Sequence, residues 1–358
     1  MIKKIAGIIT AVVAVLVAFS LLTMLFMPKY IQTNTDGRLT AEYYREKTNI
    51  DVITVGASTV QAAISPMVLY RDYGITAYNR SNSSQVMALS YYMVEDAIRC
   101  NKPELVICDV GFIYEPEDYV DEGSSRKSLD TMKWSKSKSD AIKAMMDPSE
   151  SYMDYVFPIL RFHSRWNDLN AEDLKYWVYK PTVTSNGQIL QFKKGAADKD
   201  FNPYQLEEGS MACDKNMDYL QKMADLCKDK GVQLILIKLP WVEGNWCKSI
   251  DAQICDFAAE NNLVYRNFID EYETLGFAQT EDFTDGQHMN SYGAEKFSKV
   301  LGAYIKDNYT ITDRSKDKKC IAVFNKKLEK YNYAFDNQIP TEKYEANALT
   351  ENDNTDNN

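Results

Sequence analysis

The chain has 358 residues, 45% of them hydrophobic, which is enough for one large domain or two smaller ones around a sizeable core. Its formal charge is -10 and no Lys/Arg cluster alternates with aromatic residues, so a phosphate backbone would be repelled and nucleic acid is not expected as a partner. The only histidines, His163 and His288, stand in neither an HExxH nor a Cys/His cluster, so no metal or cofactor is expected.

In chain order, the first element is the strongest. After "MIKK", the segment from Ile5 to Met27 carries no charged residue and matches the roughly 20 residues a helix needs to cross hydrocarbon. A cleaved signal peptide is the rival, but its apolar region usually runs about 7–15 residues before a small-residue site. Residues 1–28 are therefore read as an uncleaved signal anchor and 29–48 as a polar linker. Lys3 and Lys4 favour an inside N-terminus, Lys29 weakens that asymmetry, and the long body is expected outside the cytoplasm.

A regular alternation follows. "DVITVGAS" (51–58) reads as a strand, and "ITAYNRS" (75–81) as a second one after a helix-like stretch. Residues 84–100 have helical spacing, and "PELVICDVGF" (103–112) is an apolar run suited to a sheet covered on both faces. From about 113 to 209 the alternation stops. This stretch, rich in Tyr, Trp, Lys and Asp, is read as an inserted lid-like region with its own small core or as a substrate-contacting segment. His163 and Arg165 in "YVFPILRFHSRWNDL" are its candidate binding residues, and Trp134, Trp166, Tyr176 and Trp177 are possible sugar-stacking aromatics.

The alternation resumes with a helix closed by Gly231, the strand 232–240, a helix at 249–261, the strand 263–268 and a last helix at 291–308. Strand–helix repetition implies a mostly parallel sheet with right-handed crossovers, hence an α/β three-layer sandwich over 49–112 and 210–325. The acidic, polar end, 341–358, is expected to be disordered. Seven scattered cysteines without a CxxC pair leave room for disulfides plus a free thiol in an exported chain. Cys108, Cys227 and Cys255 nevertheless fall in strand- or helix-like patterns that suit small buried hydrophobes.

Ligands of open parallel sheets bind outside the carboxyl ends of the strands, and Ser58 stands at that end of the first one. There, on a tight turn allowed by Gly56 and Ala57, its hydroxyl would project from the rim beside helix N–H groups; the plainer reading is that it only caps the next helix. A serine needs a base. "DFTDGQHMNSYGAEKF" places His288 three residues after Asp285 and just before the last helix, so that Asp285 can meet Nδ1–H and leave Nε2 for a nucleophile. The plain alternative makes His288 a cap and Asp285 a turn residue.

"VGAST" and "DGQHMNSYGAEKF" resemble the first and fifth blocks of the SGNH (GDSL-like) hydrolase superfamily. The nearest branch is the membrane-anchored set that includes the teichoic-acid D-alanylation and alginate O-acetylation proteins. The resemblance implies a flavodoxin-like sandwich with Ser58 as nucleophile, His288 as general base and Asp285 as its orienting acid. It places "YNRSNSSQ" (78–85) in the second block, with Ser84 where a glycine N–H usually helps form the oxyanion hole. The third block departs, since "CDVGF" supplies Asp109 and Gly111 where an Asn amide is usual; Asn79 or Asn82 is the expected substitute. Loss of one oxyanion donor costs about 10²–10³ in turnover, which favours slow or partner-dependent acyl transfer over rapid hydrolysis.

The resulting expectation is an extracytoplasmic, membrane-anchored serine acyltransferase or esterase acting on acetyl or D-alanyl esters of a cell-wall or secreted polymer. By the resemblance, a membrane-bound O-acyltransferase is its partner. Two alternatives stand beside it: a noncatalytic envelope scaffold or polymer-binding protein, and a soluble deacetylase released by cleavage near residues 19–29.

Overall fold

A computed structural model describes residues 2–27, 35–115, 122–171, 173–174, 182–195 and 200–343. The candidate residues Tyr176 and Trp177, and the expected disordered end from 344 onward, lie outside them. In chain order the elements are helix α1 (Ile2–Phe26), α2 (Thr35–Tyr43), strand β1 (Val52–Val55), α3 (Ser58–Ala63), α4 (Pro66–Tyr73), β2 (Ala77–Asn79), α5 (Met87–Asn101) and β3 (Leu105–Asp109). There follow α6 (Glu122–Leu129), α7 (Lys136–Met145), α8 (Tyr152–Val156), α9 (Ile159–Phe162) and a 3₁₀ turn at His163–Asn167. The second half holds α10 (Asp214–Lys230), β4 (Gln233–Lys238), α11 (Lys248–Glu260), β5 (Val264–Asn267), α12 (Gln279–Asp282), α13 (Ser291–Asn308) and α14 (Lys318–Asp336).

The five strands form one sheet in the order β2-β1-β3-β4-β5, every pair parallel. Val52 pairs with Ala77 on one side and Leu105 on the other, so the two halves of the sheet diverge around β1 and β3. Strand residues alternate between two cores. Ile53, Val55, Val106, Cys108 and Leu236 pack under α5, α7, α10 and α11, whereas Val52, Ile107, Ile235 and Ile237 pack under α3, α4 and α13. Each such Val, Leu or Ile contributes about 1.5–3 kcal/mol on burial, and both faces are covered, which is why the strands read as unbroken apolar runs. The architecture is thus the expected α/β three-layer sandwich.

Local signals explain the helix limits. Ser65 caps α4 by accepting from Val68 N, Pro66 opens it, and Gly74 closes it in the left-handed conformation at φ 70°. Gly231 ends α10 in the same way. Helix α14 extends the folded body past residue 325: Cys320, Phe324, Tyr331 and Ala334 line its buried stripe, and Phe324 stacks on Tyr70 of α4 at 4.1 Å. Thr341 is buried and exchanges hydrogen bonds with Leu190.

Helix α1 is long and apolar enough to cross a membrane, a property that a signal sequence shares. Within the inserted region, Arg126 is buried between Asp130 at 3.0 Å and Glu150 at 2.9 Å, with its guanidinium 3.9 Å over the Tyr155 ring. Leu129, Ile142, Met145 and Tyr155 of the same stretch pack into the core shared with α5 and α10, not into a separate small core. Residues 182–195 also belong to the main body, with Asn79 N donating to Asn186 O and Ile189 N to Gln61 O. No cysteine is in a disulfide; Cys108, Cys227, Cys247 and Cys320 are buried, and Cys255, expected inside a helical core, is exposed on α11. A one-residue shift explains this, because the buried positions of α11 are Ile250, Ile254, Phe257 and Ala258.

Candidate active site

Strand β1 ends at Val55, and the chain turns sharply through Gly56 into α3. A Cβ on Gly56 would lie 2.5 Å from Val60 Cγ2 and 3.0 Å from the Asp109 Cβ, and its φ is +151°, so only glycine brings the turn this close to β3. The helix cap is Ala57, without a side-chain cap bond, and Ser58 is the first residue of α3. Its hydroxyl is therefore not used as a cap. Ser58 Oγ lies 2.8 Å from His288 Nε2, across 230 residues of sequence.

His288 is held by a tight loop. Thr284 N donates to His288 O at 2.8 Å, Phe283 bridges Met289, and Val242 N and Glu243 N both donate to Gly286 O at 2.9 Å. Asn290, rather than His288, caps α13, accepting from Tyr292 N and Gly293 N. The imidazole Nδ1 sits 3.0 Å from both oxygens of Asp285, and Asp285 Oδ1 also accepts from Gln287 N at 2.9 Å and His288 N at 2.8 Å. Partial burial would raise the Asp285 carboxyl, but the His288 side-chain bond and these two N–H donors outweigh it and hold the pKa down at about 2. An ionised Asp285 against Nδ1 selects the Nδ1–H tautomer and leaves Nε2 as an acceptor facing Ser58.

Beside Ser58 opens a cavity of about 280 Å³, lined by Ala57, Ser58, Ser84, Phe112, Glu115 and Gln287, with Gln85 and Val86 completing it. All but Gln287, which comes from the loop before α13, follow β1, β2 or β3, where the strand order reverses, the place at which open parallel sheets bind ligands. Ser84 reaches it with φ +53°, a left-handed backbone that costs a non-glycine residue about 1–2 kcal/mol. A larger groove of about 850 Å³, among Arg99, Lys102, Pro103, Lys230 and Gly231, lies at the amino ends of β3 and β4 and contains no histidine.

Other candidates from the sequence stand elsewhere. Asn79 is fully buried with its amide donating to Ile64 O at 2.8 Å and its oxygen accepting from Thr54 Oγ1 at 2.7 Å, because it joins β2 to the end of α3. Asn82 is buried and donates to Thr40 Oγ1 and Ser128 Oγ. Neither lines the cavity. His163 and Arg165 lie at the far end of α1, where Arg165 Nη1 donates to Phe26 O at 2.6 Å. Trp134 and Trp166 are 51% and 67% exposed and also line no part of the cavity.

Asp109, in the third-block position, is buried behind the Ser58 turn. It accepts from Thr59 Oγ1 and Leu239 N, both at 3.2 Å, so it ties the start of α3 to the ends of β3 and β4. Lys238 is buried near it, its ammonium donating to Leu239 O and lying 3.2 Å over the Trp241 ring. Burial pushes both groups toward their uncharged forms, Asp109 upward and Lys238 downward. Sequence reading missed Phe112, Glu115 and Gln287, which became visible only once the loops after β3 and before α13 met; Gln287 had one available signal, its place between Asp285 and His288.

No protein-family model matches the chain, and no curated protein does. Among solved structures it is similar to a GDSL-like lipase from Bacteroides thetaiotaomicron, at 12% identity over 77% of this chain and 98% of that one, with a TM-score of 0.36. It is also similar to a protein assigned to the lipolytic G-D-S-L family from Desulfitobacterium hafniense, at 14% identity over 71% and 99% with a TM-score of 0.35. A third structure, assigned as an acylhydrolase from Bacteroides fragilis, aligns at 12% identity over 75% and 94%, also with a TM-score of 0.35. Likeness this loose says nothing of what the chain acts on.

Proposed function

We propose that the chain is a membrane-anchored, extracytoplasmic serine esterase or acyltransferase, with Ser58 as nucleophile, His288 as general base and Asp285 as the group that orients it. The observation that carries this reading is the 2.8 Å contact between Ser58 Oγ and His288 Nε2 with Asp285 bonded behind the ring. As Ser58 Oγ bonds to the acyl carbon, its proton passes to Nε2 and the carbonyl π electrons move to oxygen. Backbone N–H groups of Ser58 and Ser84, joined by the Gln287 side chain in place of the third-block amide, are assigned to that oxyanion. On collapse the ester C–O bond breaks and His288 returns the proton to the leaving alcohol. A water or glycan hydroxyl then repeats the cycle in reverse and frees Ser58.

Two features bear on substrate. The cavity is smaller than the roughly 300–1,000 Å³ of drug-sized sites, which suits a short acyl group. Among the described residues, Glu115 is the one acidic residue lining it, and a carboxylate there favours an acyl group bearing an ammonium, such as D-alanyl, over acetyl. Glu115→Gln is expected to raise KM for an alanyl ester while leaving an acetyl ester unchanged. By resemblance, the acceptor is a cell-wall or secreted polymer and the acyl donor a membrane-bound O-acyltransferase.

A noncatalytic scaffold is the second reading, favoured by Asp109, which stands where an Asn amide is usual and bonds Leu239 N rather than lining the cavity. Labelling with a serine-reactive fluorophosphonate separates the two. Adduct formation in the wild type that disappears in His288→Ala supports catalysis, and an unreactive wild-type Ser58 supports the scaffold.

A further inference from the structure

The inserted region makes its most unusual contact with α1. Phe157, between α8 and α9, packs edge-on against Phe19 at 5.4 Å, while Phe162 is buried with Phe26 and Met27, and Arg165 donates to Phe26 O. The segment thus runs along the side of α1 from Phe26 back to Phe19. Seven residues of helix at about 1.5 Å each make this a descent of roughly 10 Å. Three of its exposed side chains are large and apolar, Leu160 at 52% exposure, Met153 at 47% and Trp166 at 67%, while the polar His163, Ser164 and Asn167 are exposed toward its C-terminal end.

We propose that residues 152–167 are a second membrane-docking element, in which the Phe157–Leu160 turn enters the outer leaflet beside α1 and Trp166 rests at headgroup level. The proposal rests on reading α1 as a membrane span whose Phe26 end lies at the outer surface. Given that span, a contact at Phe19 lies within hydrocarbon, and the roughly 5–10 Å depth typical of interfacial segments matches the descent. Pro158 and the short α8 and α9 keep the turn compact, since exposed backbone in lipid must find internal partners; Phe157 N and Phe162 N do so on Met153 O and Pro158 O. Arg165 satisfies a carbonyl at the C-terminal end of α1, where a cation is favoured, and stays level with the polar surface. The exposed Trp166 next to it suits the interfacial aromatic belt. Phe157, Leu160 and Trp166 are thereby assigned to lipid rather than to sugar, and the body is held to the bilayer at two points, which fixes its tilt.

The test uses the full chain in phosphatidylcholine vesicles with or without brominated acyl chains, read by tryptophan fluorescence. Leu160→Trp adds a reporter at the turn, Trp166→Phe removes the proposed interfacial one, and Leu16→Trp reports on the exposed face of α1. The expected result is that bromolipid removes most of the emission added by Leu160→Trp, that Trp166→Phe loses part of the quenching seen in the parent, and that Leu16→Trp is strongly quenched. Quenching of Leu16→Trp without quenching of Leu160→Trp overturns the docking element while the span stands, and leaves that face to a protein partner. An unquenched Leu16→Trp overturns the span, and the docking element with it.

Discussion

The two histidines of this chain occupy opposite kinds of surroundings. His288 is fixed from three sides: Asp285 behind the ring, Ser58 in front, and a loop tied to Glu243 and Met289 beneath. His163 is exposed, and among the described residues its Nδ1 meets only the local Leu160 carbonyl at 2.9 Å, in a 3₁₀ turn beside α1. Both stand among polar and aromatic residues in the sequence. The difference is made by the sheet, which brings the Ser58 hydroxyl to one imidazole and no such partner, among the described residues, to the other.

The sharpest way to break this contrast is to remove either partner of the contact. Ser58→Ala and His288→Ala are each expected to lower turnover of a short acyl ester by about 10³-fold or more, as removal of triad members does elsewhere. Their double variant is expected to be no worse than either single one, because the two act as a unit. Asp285→Ala comes next, with a loss of about 10²–10⁴-fold from a ring no longer held in its tautomer. It also carries a stability signature. Because the folded Asp285 pKa lies near 2, below the ordinary carboxylate value, its bonds stabilise the fold above about pH 4, and that stabilisation is lost as pH falls toward 2. The melting temperature of the wild type is therefore expected to drop more steeply over that interval than that of Asp285→Ala.

A smaller effect is expected at the cavity edge. Ser84→Gly relieves a left-handed serine and is expected to stabilise the fold by up to about 1 kcal/mol in denaturant titration, with turnover retained because the backbone N–H remains. The smallest is the control on the other histidine. His163→Ala is expected to leave turnover within a factor of about two, the range of surface substitutions away from the site; a loss comparable to that of His288→Ala would mean that the inserted region reaches the chemistry after all.

Much of this arrangement could be read from residues. The buried strands announced themselves as short apolar runs because helices cover both faces of the sheet, and Gly74 and Gly231 punctuate helices in the left-handed conformation that only glycine adopts freely. Ser58, Asp285 and His288 were legible because strand ends and spacing are local properties that place side chains on one rim. What was not legible depends on contacts between distant segments. Asn79 looks like a donor, yet its place at the end of β2 turns its amide onto the carbonyls closing α3. Glu115 and Phe112 carry no motif and meet Ser58 only because β1 and β3 are neighbours. Helix α14 had a readable stripe in Cys320, Phe324 and Tyr331, masked by the lysines on its other faces.

The interval between Ser58 and its base also sets the order in which the protein can become active. A ribosome that has added Ser58 must add 230 more residues before the imidazole exists, about 10 to 50 s of elongation at ordinary rates. Throughout that time the hydroxyl is an ordinary alcohol. Under the proposed mechanism, a nascent chain that has not yet reached His288 lacks its general base, and Ser58 stays unactivated until that residue is made.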